Sequence, residues 1–197
     1  MYPDSIKELI ESFKNLPGIG EKSAERMAFS VLNFDEDKID MFVDALIKIK
    51  DIKKCPICNN ITDADFCSIC NDKNRNNDTI FVVEKSRDII LFEKMGSYNG
   101  KYHVLDGLIS PLEGINPDDI NIESLIKRVE KDKVREVIIV LKPSIEGETT
   151  MQYIKKILSP YDVKVSKMPI GIPVGTDIEY IDSMTLEMAF EDRKDVS

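Results

Sequence analysis

Residues 55–70 read Cys55-Pro56-Ile57-Cys58-Asn59-Asn60-Ile61-Thr62-Asp63-Ala64-Asp65-Phe66-Cys67-Ser68-Ile69-Cys70, and they hold all four cysteines of the 197-residue chain. Two Cys-x-x-Cys knuckles set eight residues apart are the pattern of a tetrahedral zinc site, because a two-residue spacer lets both sulfurs of a knuckle reach one ion. Four thiolates fill the coordination sphere, so the site is expected to be structural, with Cys55, Cys58, Cys67 and Cys70 as ligands. Reduced buried thiols and a redox pair are the alternatives. A loop this short buries too little apolar surface to fold alone, so the metal is expected to supply most of its folding free energy. Loss of one cysteine is then expected to unfold the local module and disturb the orientation of the segment before it, without dissolving the sheet formed by the later residues.

Outward from this cluster the chain changes character. On the N-terminal side the apolar spacing is helical. Ile6, Leu9, Ile10 and Phe13 share one face of a helix over 5–15, with Ser5 and Glu8 placed as a capping box. A second helix is expected over 21–32 and a third over 36–51. On the C-terminal side, residues 71–78 lack apolar side chains and read as a surface linker. Strands are then expected at 80–83, 102–105, 136–141 and 163–166. Helices are expected at 86–95, 121–132 and 148–158, and a last one at 183–192. This alternation predicts a parallel sheet flanked by helices, with any site at the strand C-termini.

Composition bounds the function. Hydrophobic residues make up 42% and charged residues 32%, as in a globular chain. The start Met1-Tyr2-Pro3-Asp4 has no signal-peptide pattern, and the doubled knuckles favour a reducing cytoplasm. The formal charge of −9 excludes a broad basic face. It is concentrated at the end: residues 175–197 carry two basic and seven acidic side chains, whereas 79–174 balance at fourteen each. The tail reads either as a solvated helix or as a partner contact.

Two further constellations carry chemistry. Leu16-Pro17-Gly18-Ile19-Gly20 joins the first two helices. Glycines here let a backbone approach phosphate closely, beside free N–H groups of a helix start. Lys22 and Arg26, four apart, share a helix face suited to successive phosphates. The alternative is an ordinary helical hairpin with two solvated cations. Glu84 and the pair Glu146 and Glu148 follow the first and third strands of the sheet, where converging carboxylates suit Mg²⁺. They read equally as capping or surface acids. His103, the single histidine, is expected to be structural.

The order of LPGIGEKSAERMAF, CPICNNITDADFCSIC, TIFVVE, HVLDGLISPLEGINPDDI, REVIIVLKPSIEGET and GIPVGTDIEYIDSMTL resembles the RecR family of bacterial recombination mediators over nearly the whole chain. The resemblance implies a multidomain α/β protein. Its parts are a helix-hairpin-helix domain (1–54), a four-cysteine zinc finger (55–70), a linker (71–78), a Toprim domain with a parallel sheet (79–174) and a C-terminal oligomerisation segment (175–197). It implies a non-enzymatic DNA-binding role in recombinational repair with RecO and RecF as partners, in the cytoplasm at the nucleoid. A homotetrameric ring would clamp gapped or junction DNA and promote recombinase loading. By position it assigns DNA contact to Gly18, Gly20, Lys22 and Arg26, zinc to the four cysteines, and Mg²⁺ or RecO contact to Glu84, Glu146 and Glu148. A Mg²⁺-dependent Toprim nuclease or primase-like enzyme and a zinc-ribbon adaptor that never touches DNA are the competing readings. Lys142, in Leu141-Lys142-Pro143, replaces a more typical Asn, and Asp106 replaces a residue that is often His.

Overall fold

The computed structural model describes residues 2–195. The chain divides into two compact units, Met1–Ile52 and Lys53–Ser197.

The first unit is helical. Helix α1 (Asp4–Lys14) and helix α2 (Glu21–Val31) pack through Ile6, Ile10, Ala24 and Ala28, with Leu9, Phe13 and Ile19 around them. The two buried alanines allow the close helix approach that so short a hairpin requires. The expected Ser5–Glu8 capping box does not form. Pro3 occupies the N-cap and Asp4 already begins the helix, so Ser5 lies inside the first turn. Helix α3 (Glu36–Lys48), capped by Asp35 and continued by a 3-10 turn over Ile49–Asp51, buries none of its residues. Its apolar stripe, including Ile39, Phe42, Val43 and Leu46, is exposed.

The second unit opens with the cysteine module: β1 (Lys53–Lys54) antiparallel to β2 (Ile61–Thr62), then the short helix α4 (Ser68–Asn71). A four-stranded sheet follows, built from β3 (Thr79–Val83), β4 (Lys101–Val104), β5 (Glu136–Val140) and β6 (Lys164–Lys167). All its pairings are parallel, in the order β4-β3-β5-β6. The connecting helices are α5 (Ser86–Met95), α6 (Glu123–Asp132) and α7 (Ile145–Leu158); α8 (Ser183–Glu191) closes the chain.

Strand alternation splits the core in two. Ile80, Val82, Val137 and Ile139 point to one face, which Leu125 and Val129 of α6 and Ile154 and Leu158 of α7 cover. Phe81, Val83, Tyr102 and Val104 point to the other, where α5 contributes Ile89. One helix cannot cover that face. The rest of its cover is the cysteine module: Cys55, Cys58, Cys67 and Ile69 belong to the same buried cluster. Polar links reinforce the junction. The Val104 N–H donates to the Cys58 carbonyl at 2.8 Å. The buried Lys101 ammonium donates to the carbonyls of Ile69 at 2.7 Å and Asp72 at 2.8 Å, which end α4.

Residues 71–78 lie at the surface, with Arg75 the exception in its direction. The Arg75 guanidinium turns inward to pair with Glu93 and to donate to the Gly100 carbonyl at 3.2 Å, while Tyr102 donates to the same Glu93 at 2.7 Å. The Arg75 hydrogen bond holds the Glu93 carboxyl below the usual range. Arg75 thus serves a half-buried ion pair.

His103 is fully buried, its Nε2 at 2.8 Å from the Asn121 carbonyl and its Nδ1 without a partner. Burial pushes its pKa down to about 4, with the nearby Arg128 adding to the shift. The folded value lies below the unfolded one of about 6.5, so folding favours the neutral ring. Its contribution is intact above about pH 6.5 and is lost as pH falls toward about 4, about 3 kcal/mol in all. Denaturant titrations of wild type and His103→Gln across that window check this: the wild type is expected to lose more stability than the variant.

Candidate metal centre and nucleic-acid interface

The four cysteine sulfurs lie within 4.8 Å of one another. The Sγ atoms of Cys58 and Cys67 are 3.5 Å apart. That is far beyond a disulfide bond and close to the edge, about 3.8 Å, of a tetrahedron with Zn–S bonds of about 2.3 Å. The knuckles are shaped locally. Asn59 takes a left-handed φ of 61°, turning the chain back so that the Cys55 N–H donates to the Asn60 carbonyl at 2.7 Å. Backbone N–H groups aim at sulfur, Cys70 to Cys67 Sγ at 3.4 Å and Cys67 to Cys55 Sγ at 3.5 Å. Hydrogen bonds from neighbouring thiols hold Cys67 down, and the same bond with Cys67, together with burial, pushes Cys58 up. A divalent cation relieves that competition by letting all four ionise. The donor set fits structural zinc, with no position left for a substrate.

In the helical unit, Pro17 and Gly18 occupy the centre of a turn closed by the Ile19 N–H on the Leu16 carbonyl at 3.1 Å. Gly18 has φ +80°, the value that a type II turn demands at its third position, so glycine is required there. Gly20 is different. It is the N-cap of α2 at φ −85°, a conformation open to any residue, and a Cβ built on it meets nothing within 4 Å. Glycine is favoured at an N-cap, and this one is also open to close approach from outside the chain. No side chain caps α2, and its Glu21 and Lys22 amides have no acceptor among the described residues. Lys22 and Arg26 are both exposed on α2, and neither is in an ion pair among the described residues. Arg26 also borders an apolar groove of about 590 Å³ whose walls include Phe13, Met27, Phe34 and Phe42.

At the C-terminal edge of the sheet, β3 and β5 are neighbours although β4 intervenes in sequence, which makes this the topological switch point. Glu84 follows β3, with the Lys85 ammonium at 3.7 Å. Glu146 and Glu148 both lie in the first turn of α7, which starts three residues earlier than the pattern predicts. Ser144 caps it by accepting from the Gly147 N–H at 3.2 Å. Residues two apart on a helix point away from each other. Glu146 accepts from Ser144 at 2.7 Å, a bond that holds its carboxyl below the usual range. Glu148 instead borders a small cavity with Lys142 and Lys167. Among the described residues only the cysteines bring three or more such ligand atoms within 4.8 Å of one another, and Glu84, Glu146 and Glu148 are not gathered in that way. Asp106 sits at φ 65° and pairs with Lys54 at 2.9 Å. Sequence reasoning missed Ser144 as a cap, although its place three residues before Gly147 was the available signal.

A helical hairpin with an open glycine turn, together with a four-cysteine zinc module built onto a parallel α/β sheet, defines a modular, zinc-stabilised protein of Toprim type. Four family models match in chain order: the RecR helix-hairpin-helix at residues 6–50, the RecR four-cysteine zinc finger at 52–72, the Toprim domain at 78–169 and the RecR C-terminal region at 171–194. The chain belongs to the RecR family, whose domains place it in recombinational DNA repair. No described helix is long and apolar enough to cross a membrane.

Proposed function

We propose that the protein is a non-enzymatic recombination mediator at the nucleoid. It binds single- and double-stranded DNA without sequence preference, clamps gaps or junctions, and acts with RecO and RecF to promote recombinase loading. The observation that carries this reading is the open glycine turn at the start of a helix with no side-chain cap, two residues before Lys22 and six before Arg26, neither of which is in an ion pair among the described residues. Phosphate approaching that turn would meet the Glu21 and Lys22 amides, with Lys22 and Arg26 on the following helix face. A homotetrameric ring is supported by apolar surface left uncovered in one chain. That surface includes the α3 stripe and the C-terminal region, where Val174, Ile178, Tyr180, Met184 and Phe190 are all exposed. Four hairpins in one assembly would sum weak contacts by avidity, as the chain's net acidity requires. The zinc module would act as structure rather than reader, and Glu84, Glu146 and Glu148 as a partner-facing edge. Native mass and metal content, measured with gapped-DNA binding on the same sample, test the reading. Four chains, four zinc ions and binding without turnover of labelled DNA in Mg²⁺ are expected. Cleavage or synthesis that disappears in Glu146→Gln overturns it.

A further inference from the structure

Leu112 is 99% exposed and Ile145 is 83% exposed, the two most exposed large apolar side chains in the segment 79–169. Isolated exposed leucines need no explanation. These two, however, stand on ordered backbone that the fold ties together. Leu112 crowns a 3-10 turn over Pro111–Glu113, closed by Ser110 and Ile115 bonding each other through both backbone groups, at 3.0 and 2.9 Å. The stem of that loop docks on α7: the Ile109 N–H donates to Thr150 Oγ1 at 2.9 Å, and the same hydroxyl donates to the Glu146 carbonyl at 2.6 Å. Leu112 is three residues from Ile109, a reach of at most about 11 Å. Ile145 immediately precedes Glu146. Both therefore fit within the about 800 Å² that one partner presents in a standard interface.

The charge around them selects the occupant. Among the described residues Glu113 and Glu148 are in no ion pair, and Glu146 is held only by the Ser144 hydroxyl, with Lys142 and Lys167 the cations nearby on the α7 side and none paired with Glu113. DNA is repelled by such an edge. So is the C-terminal tail of a second copy, which carries seven acidic and two basic side chains. We propose that Leu112 and Ile145 are apolar anchors of a docking surface for a protein partner that presents apolar side chains flanked by lysine or arginine. This deepens, and rests on, the partner reading of the carboxylate edge given above. Leu112 and Ile145 supply the desolvated centre of the contact, and Glu113 and Glu146 supply its charged rim.

The test measures RecO binding to the full-length assembly in wild type, Leu112→Ser, Ile145→Ser and the control Leu91→Ser, which alters an exposed leucine on α5. Native mass and gapped-DNA affinity are read on the same samples. Each anchor variant is expected to weaken RecO binding at least about tenfold, the effect of losing an interface anchor. Mass, DNA affinity and the control are expected to stay unchanged. If wild type binds RecO and the anchor variants bind it equally well, this proposal falls and the partner reading stands. If wild type does not bind RecO, both fall. A change in mass would assign the surface to a second copy, and a loss of DNA affinity would assign it to DNA; either overturns the proposal.

Discussion

Cys67→Ser, or removal of zinc by a chelator, is expected to destabilise the α/β body as well as the finger, rather than the local module alone. Three of the four ligands are at most 2% exposed, and they share a buried cluster with Phe81, Val83, Tyr102 and Val104 of the sheet. Structural zinc contributes about 10–16 kcal/mol to small zinc-finger modules, against a total stability of about 5–15 kcal/mol for an ordinary domain. When the ion leaves, nothing ties the two knuckles together, and the module covering part of that sheet face has no core of its own. Ile89 of α5 and its neighbours cannot close the gap. Thermal melts followed by near-ultraviolet circular dichroism check this, because the stacked Phe81 and Tyr98 rings, 3.6 Å between centroids, lie in that layer. The sheet signal is expected to melt at least about 10 °C lower in Cys67→Ser. Cys70→Ser, at the least buried ligand, separates metal loss from core damage and is expected to fall nearly as far. A sheet transition unchanged in the metal-free protein contradicts the shared core.

Lys22→Ala/Arg26→Ala is expected to have the largest effect on DNA. Both side chains are exposed and end in no ion pair among the described residues, so truncation leaves the helical core of Ile6, Ile10, Ala24 and Ala28 intact. Each phosphate neutralised contributes about 0.9 to the slope of log affinity against log salt. Two lost cations per chain therefore lower the slope by about 2 for each chain engaged. In a multi-chain clamp the losses compound, and gapped-DNA affinity at about 0.15 M salt is expected to fall about a hundredfold or more. Titrations at several salt concentrations check both quantities. Undiminished binding removes the hairpin from the interface.

How far the sequence was legible depended on whether a signal was local. Helix α5 and the start of α2 were placed to the residue, because apolar period and flanking glycine both act within one turn. The zinc ligands were legible because two-residue spacing is itself the geometry of the site. The start of α7 was not, since Glu146-Gly147-Glu148 looks like loop until Ser144 is recognised as its cap; a Cβ on Gly147 would stand 2.1 Å from the Lys142 carbonyl, so glycine there serves helix packing. That displacement also decided the carboxylates, which a loop brings together and a helical turn sets apart. The seating of the finger on the sheet was invisible because it joins residues 55–70 to 81–104 through tertiary contacts. A trace existed even so: Tyr102 and Val104 are apolar on a face that only one connecting helix reaches.

The hairpin's grip on DNA is tested most directly by the gapped-DNA affinity of Gly20→Val beside its melting temperature. A Cβ at Gly20 meets nothing within 4 Å and the backbone there is extended, so the variant is expected to fold and assemble, at a cost of about 1 kcal/mol for placing valine at an N-cap. If phosphate docks on this turn, the added isopropyl group stands in its path, and affinity is expected to fall at least about tenfold at a temperature where the melting curve shows the variant fully folded. Wild-type affinity in a fully folded Gly20→Val protein would contradict the claim that the hairpin grips DNA.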